Sequence, residues 1–207
     1  MYRPSKERSR RIAAFWVWFG RMAGIFVELD PSCEQRLNDL GEALNHIRDG
    51  LTFELGPRVN GRRTFAVSAD GAAELFPYVE EVVALAPSLE QWTIRAFRAP
   101  KDLCEDDSMQ VGDTSVSVSD LCFCISETPD TRVLEVFVSN HDDCDVNRLG
   151  PPVFILVDNA LGEYVAATQF HSILVRFHHE LPVARDCARF VTLPLLLWTP
   201  PTSGPAN

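Results

Sequence analysis

Apolar and polar residues alternate from Leu51 to Ser68 with the period of a strand. Leu51, Phe53 and Leu55 alternate with Thr52 and Glu54, and Phe65 and Val67 with Thr64, Ala66 and Ser68. Between the two runs sits Asn60-Gly61, a pair that tolerates positive φ at both central positions of a type I′ turn. Residues 51–70 are therefore predicted to be a β-hairpin whose apolar face other elements must cover. Upstream the period lengthens. Phe15, Trp18, Phe19 and Met22 recur at i, i+3, i+4 and i+7, which predicts a helix over 11–27. Leu37, Leu40, Leu44 and Ile47 recur at spacings of 3, 4 and 3, also a helical period, with Asp30-Pro31-Ser32 as the start signal and Gly50 as the stop.

Downstream, Leu75, Val79, Val82 and Val83 mark a third helix, opened by Ser68 or Asp70 as N-cap. Pro77 must lie in its first turn or kink it. Residues 92–97 alternate as a strand, and 115–126 with 132–138 predict a second hairpin around Thr128-Pro129-Asp130. Residues 101–113 read as a solvated acidic loop and 140–150 as a polar loop. Val153 to Val157 suits a buried strand or the first turn of a buried helix. Residues 158–169 read as helix, 170–177 as strand and 182–190 as helix. Helices in blocks and sequential hairpins predict an α+β fold. We expect a single domain, a mainly antiparallel sheet built from hairpins, and helices packed on one face. Its expected limits are 11–198, between a flexible basic arm at 1–10 and a flexible tail at 199–207.

Composition sharpens this picture without changing it. An apolar fraction of 46% and a charged fraction of 23% over 207 residues fit a folded chain with a sizeable core. The formal net charge is −10, and residues 1–11 hold a net +4, leaving −14 on the rest. Such a body repels phosphate backbones and attracts basic surfaces, so a basic protein partner is expected and nucleic acid is not. The apolar run 12–19 is short and is followed by Arg21, without a clean small-residue cleavage site, so neither a secretory signal nor a membrane span is expected. That favours a cytoplasmic protein in which the six cysteines are reduced thiols.

Several segments together resemble a family of uncharacterised bacterial proteins. They are Phe15-Trp16-Val17-Trp18-Phe19, LTFELGP, RTFAVSADG, FPYVEEVVALAP, WTIRAFR and FILVDNALGEYVAATQ. These motifs are patterned rather than catalytic, and the resemblance implies a bacterial, cytoplasmic protein with no catalytic residue to transfer.

Candidate chemistry gathers in a few places. His141, Asp142, Asp143, Cys144 and Asp145 form the densest set of metal-ligand types, although neighbouring residues cannot all converge on one ion. Their plain alternative is a solvated acidic turn. Cys122 and Cys124 share a strand face; zinc would need two further ligands, from Cys104, Cys144 or Cys187. Otherwise they pack as small hydrophobes. His178-His179-Glu180, with His171 upstream, is a conceivable acid–base group or an ordinary strand end. Asp158 and Glu163 are five apart, about 140° around a helix, so they do not share a face. Arg62, Arg63, Arg95 and Arg98 offer an anion site or local ion pairs. No nucleotide-binding loop and no nucleophile elbow is present.

The leading expectation is a non-enzymatic interaction protein, in one version an immunity-type protein masking a basic toxin. Its functional surface would use Asp106, Asp107, His141, Asp142, Asp143, Asp145, Asp158 and Glu163, with no cofactor. One alternative is a metal-dependent enzyme using the His141–Cys144 loop with His171 or His179. Another is a small-ligand pocket lined by Trp16, Trp18 and Trp92. Pairing of an edge strand with a second copy is left open.

Overall fold

The computed structural model describes residues 5–28, 34–141, 144–182 and 185–197. The fold is α+β, with mixed sheets. The chain divides into two compact units, residues 1–98 and 99–207.

In the first unit, α1 (Lys6–Glu28) and α2 (Glu34–Ile47) precede a three-stranded sheet in the order β1 (Thr52–Val59), β2 (Arg62–Ser68), β3 (Trp92–Ala96). The helix begins at Lys6, so Lys6, Arg8 and Arg10 are helical rather than part of an arm. Arg8 explains part of this: its Nε donates to Glu81 at 2.6 Å, which anchors the first turns of the helix. The Asp30-Pro31-Ser32 start signal lies outside the described residues. The hairpin is as expected, with Asn60 at φ 51° and Gly61 at φ 79°. Phe53 pairs with Val67 and Leu55 with Phe65, and the register shifts between Leu55 and Arg58. β3 joins β2 in parallel, because α3 (Phe76–Ala84) carries the chain back across the sheet.

The predicted caps of α3 are corrected. Ser68 is buried and its Oγ accepts from the Asp70 amide at 3.1 Å, closing a turn in which Asp70 has φ 49°. A 3₁₀ turn at Ala73–Leu75 then leads into the helix, and Pro77 sits in its first turn, where its missing N–H costs nothing. Gly50 ends α2 at φ +90°, with Leu75 Cδ1 only 2.6 Å from where a Cβ would stand. The core of this unit is aromatic. Phe65 lies 4.7 Å from Phe19 and 6.0 Å from Trp16, ring to ring, and Phe19 lies 5.2 Å from Trp92. Each such ring, fully buried, stabilises by about 2 to 3 kcal/mol.

The second unit is built on a four-stranded sheet in the order β8 (Ser172–Phe177), β7 (Arg132–Val138), β6 (Leu121–Glu127), β9 (Ala188–Arg189). β6 and β7 form the predicted hairpin, and β8 adds to β7 in parallel. The loop predicted at 101–113 contains a strand: β4 (Ser108–Val111) pairs with β5 (Thr114–Ser117) around Gly112. Its short polar sequence hides a period-two pattern whose inward residues are Met109, Thr114 and Val116. The polar loop at 140–150 is corrected too. Asp145 is an N-cap, its Oδ1 accepting from the Asn147 amide at 2.9 Å, and α4 runs over Val146–Leu161. Pro151 and Pro152 lie inside that helix. α5 (Glu163–Thr168) follows, and residues predicted as helix at 182–190 instead include β9; α6 (Leu193–Leu197) comes last. Leu149, Val153, Leu156, Val157 and Ala160 of α4 cover Phe123, Leu134, Val136 and Val138 of the sheet in one apolar cluster. The predicted tail at 199–207 lies outside the described residues.

Candidate functional site

The structure scatters the acidic candidates. Asp106 is exposed. Asp107 accepts from the Cys104 amide at 2.7 Å, a bond that, with one to the Cys104 side chain, holds its carboxyl below the usual range. His141 Nε2 lies 3.9 Å from Asp120 Oδ2, and its carbonyl accepts from the Cys144 amide. Asp142 and Asp143 lie outside the described residues. Asp145 is committed to its cap. Asp158 is not a cap but stands in the last turn of α4, where its carbonyl accepts from the Gly162 amide at 2.8 Å. Glu163 is fully buried at the start of α5. The three tryptophans do not share a ligand pocket: Trp16 and Trp92 are core residues, and Trp16 Nε1 donates to the Val82 carbonyl at 2.9 Å. Arg62, Arg63 and Arg98 are likewise engaged, and Arg62 donates to the Trp92 carbonyl. Arg63 donates to the Val27 and Gly56 carbonyls at 2.8 Å each, and Arg98 pairs with Asp70.

A different group converges. Alternation along the second unit's sheet sends Leu121, Phe123, Leu134, Val136 and Val138 into the apolar cluster. The opposite face takes Cys122, Cys124 and Ser126 from β6, Glu135 from β7, and Arg176 from β8. The register sets Cys124 beside Glu135, and Phe137 beside both Cys122 and Arg176. The segment after β8 supplies Arg185, Asp186 and Cys187.

On this face Glu135 accepts from Arg176 Nε at 3.1 Å, from Ser126 Oγ at 3.2 Å and from Arg185 Nη1. Burial pushes its carboxyl up, but the bonds and charge of Arg185, with Arg176 and Ser126, outweigh that and hold it below its ordinary value. Arg185 also donates to Ser126 Oγ at 2.7 Å, closing the network. Cys124 Sγ donates to the Asp186 carbonyl at 3.3 Å, and burial pushes that thiol up.

Beside this network Cys122 and Cys187 form a disulfide, with Cα atoms 5.7 Å apart and a sequence separation of 65. This corrects the expectation of six reduced thiols. Among the described cysteines Cys104, Cys124 and Cys144 are free. His178 is the third member: one ring nitrogen and the two sulfurs all lie within 4.8 Å of one another. Among the described residues this is the group at metal-ligand spacing, and it includes neither His141, Cys144, His171 nor His179. His179 stacks on Phe177 at 5.4 Å, and His171 donates its amide to the Arg132 carbonyl at 2.7 Å. Parity along the strand separates His178 from His179 in sequence; the partnership with Cys187 carries no sequence signal, since pairing cannot be read from cysteine spacing.

Charge separates the units. Residues 1–98 hold 13 basic and 13 acidic side chains, whereas residues 99–207 hold 6 and 16, so the formal net −10 belongs to the second unit. Among the described residues, no helix is long and apolar enough to cross a membrane. Compared with known proteins, the chain matches no family model, no curated protein and no solved structure.

Proposed function

We propose that this protein is a non-enzymatic interaction protein whose second unit docks a basic partner surface. The observation that carries the reading is the concentration of the whole net charge in residues 99–207, with Asp102, Glu105, Asp106 and Asp113 exposed around the β4–β5 hairpin. A predominantly acidic surface accelerates encounter with an oppositely charged partner and disfavours nucleic acid. An immunity-type role, in which the acid-rich surface covers a basic toxin, is the specific form of this reading, in a cytoplasmic setting. The kinship suggested by the aromatic and hairpin motifs agrees with that setting.

The test is capture from the native host at low ionic strength, followed by affinity measurement across a salt series. A basic protein should be retained and should weaken steeply with salt. Reversing Asp102 and Asp106 together to lysine should slow association. Failure to retain any partner at low salt, or binding indifferent to salt, would sink the reading.

A further inference from the structure

We propose that Cys122, His178 and Cys187 are a zinc site in the dithiol state of the protein. The ligand atoms already lie within 4.8 Å of one another, with Cys122 on β6, His178 directly after β8 and Cys187 directly before β9. Tetrahedral zinc, with bonds of about 2.3 Å to sulfur and about 2.0 Å to imidazole nitrogen, requires ligand atoms roughly 3.5 Å apart. Once the Cys122–Cys187 bond is broken, the sulfurs must part by about an ångström and the His178 nitrogen must approach by about as much. Two thiolates and an imidazole are a soft-to-borderline donor set that suits zinc over calcium or magnesium. Three protein ligands leave the fourth position to water or to an incoming donor.

The surroundings fit this use. His178 is exposed and follows β8 directly, while His179 is held against Phe177, so the neighbouring histidines face different tasks. The His178–Glu180 turn is fixed by Glu180, whose Oε2 accepts from the Phe177 amide at 2.9 Å. Cys124 is two residues from Cys122 on the same face but gives its S–H to the Asp186 carbonyl, which keeps it out of the ligand set. Glu135 beside the site is committed to Arg176, Arg185 and Ser126, which keeps its carboxylate out of the ligand set.

The disulfide and the metal exclude each other. A dithiol reductant transfers two electrons and two protons to the Cys122–Cys187 bond, which breaks into two thiols, while the reductant closes its own disulfide. Zinc then forms two Zn–S bonds and one Zn–N bond, and the two thiol protons pass to solvent. Oxidation by a disulfide reverses the sequence and expels the metal. A disulfide in a reducing compartment is usually transient or redox-sensing, and a metal-bound alternative gives the reduced state a structure of its own.

The full-length chain, reduced and freed of reductant, is titrated with zinc against a chromophoric chelator, and with cobalt as a spectroscopic substitute. The reduced chain should bind one zinc, release two protons and show thiolate-to-cobalt charge transfer. The oxidised chain should bind none. Cys187→Ser and His178→Ala should each weaken zinc by more than about a hundredfold, beyond the loss usual for an outer-shell partner. Cys124→Ser should bind as the parent does. His178 is exposed, so its substitution leaves the fold intact and circular dichroism unchanged. No zinc on the reduced chain, unchanged affinity in His178→Ala, or loss of binding in Cys124→Ser would each overturn the proposal.

Discussion

Residues 1–98 balance their charges and place stacked aromatic rings at their centre; residues 99–207 carry 16 acidic against 6 basic side chains and devote one sheet face to thiols, arginines and a glutamate. In the first unit polar side chains close turns and anchor ends: Ser68 holds a turn, Arg63 ties carbonyls, and Arg8 holds a helix start. In the second, a polar network lies half-buried on a sheet whose other face already supplies the apolar core. The contrast supports placing both proposals in the second unit. A fold gains little from arginine, glutamate and cysteine packed together when aliphatic residues would serve, because desolvating charge offsets much of what pairing returns.

The sharpest break falls in the first unit. Phe65 is fully buried and meets Phe19, Phe15 and Trp16. Truncating it to alanine removes ring contacts from several partners and leaves a cavity, with an expected loss of about 4 kcal/mol. Denaturant unfolding followed by tryptophan fluorescence measures it, and a loss near zero would show that this ring cluster is not the centre of the unit. In the second unit the comparable test is reduction of the Cys122–Cys187 bond. Releasing a 65-residue loop should destabilise by about 3 kcal/mol in metal-free buffer. Zinc should restore part of that loss to the reduced chain.

The legibility of the chain divides along the same line. The hairpin at 51–70 and the first three helices follow from local period and turn chemistry, and each is found. The second unit is less legible because its decisive features are non-local or locally contradicted. Gly150-Pro151-Pro152 reads as a break, yet α4 runs through it. Its apolar stripe, from Leu149 to Ala160, packs well enough on the sheet to outweigh the missing amide donors. Parallel pairing of β3 on β2 and of β8 on β7 depends on the crossover that tertiary packing chooses. Asp145 is hidden for a similar reason: an aspartate in a polar stretch caps only a helix start that is real, and that start is set by the packing of α4. The candidate site was half-visible, in the shared face of Cys122 and Cys124, but its true partners, Cys187 and His178, come from residues far along the chain.

Glu135 sharpens the comparison at intermediate size. Its carboxylate accepts from Arg176, Arg185 and Ser126, so Glu135→Gln removes two charge-assisted bonds and leaves two arginines underpaired. The expected cost is about 2 kcal/mol at neutral pH. Its carboxyl is held below the ordinary value in the folded protein, so its contribution is complete above the unfolded-state pKa. That contribution disappears as pH falls through the lowered folded value. The gap between parent and Glu135→Gln should therefore narrow in acid, and a gap that widens there would contradict the network.

Asp107 gives the smallest effect and separates structural from functional acid in the proposed docking surface. It accepts from the Cys104 amide at 2.7 Å, whereas Asp106 beside it is exposed. The bonds from Cys104 hold the Asp107 carboxyl down, so carbon-detected NMR titration should place its midpoint below the usual aspartate range. The stabilisation it lends the loop is present above the unfolded-state value and is lost as pH falls through the folded one. Asp107→Asn weakens acceptance at the Cys104 amide and should loosen 104–107, read as faster amide exchange there. Asp106→Asn should leave exchange unchanged and lower only the association rate with a basic partner. If both substitutions slow association equally and neither alters exchange, Asp107 belongs to the docking surface rather than to the loop that presents it.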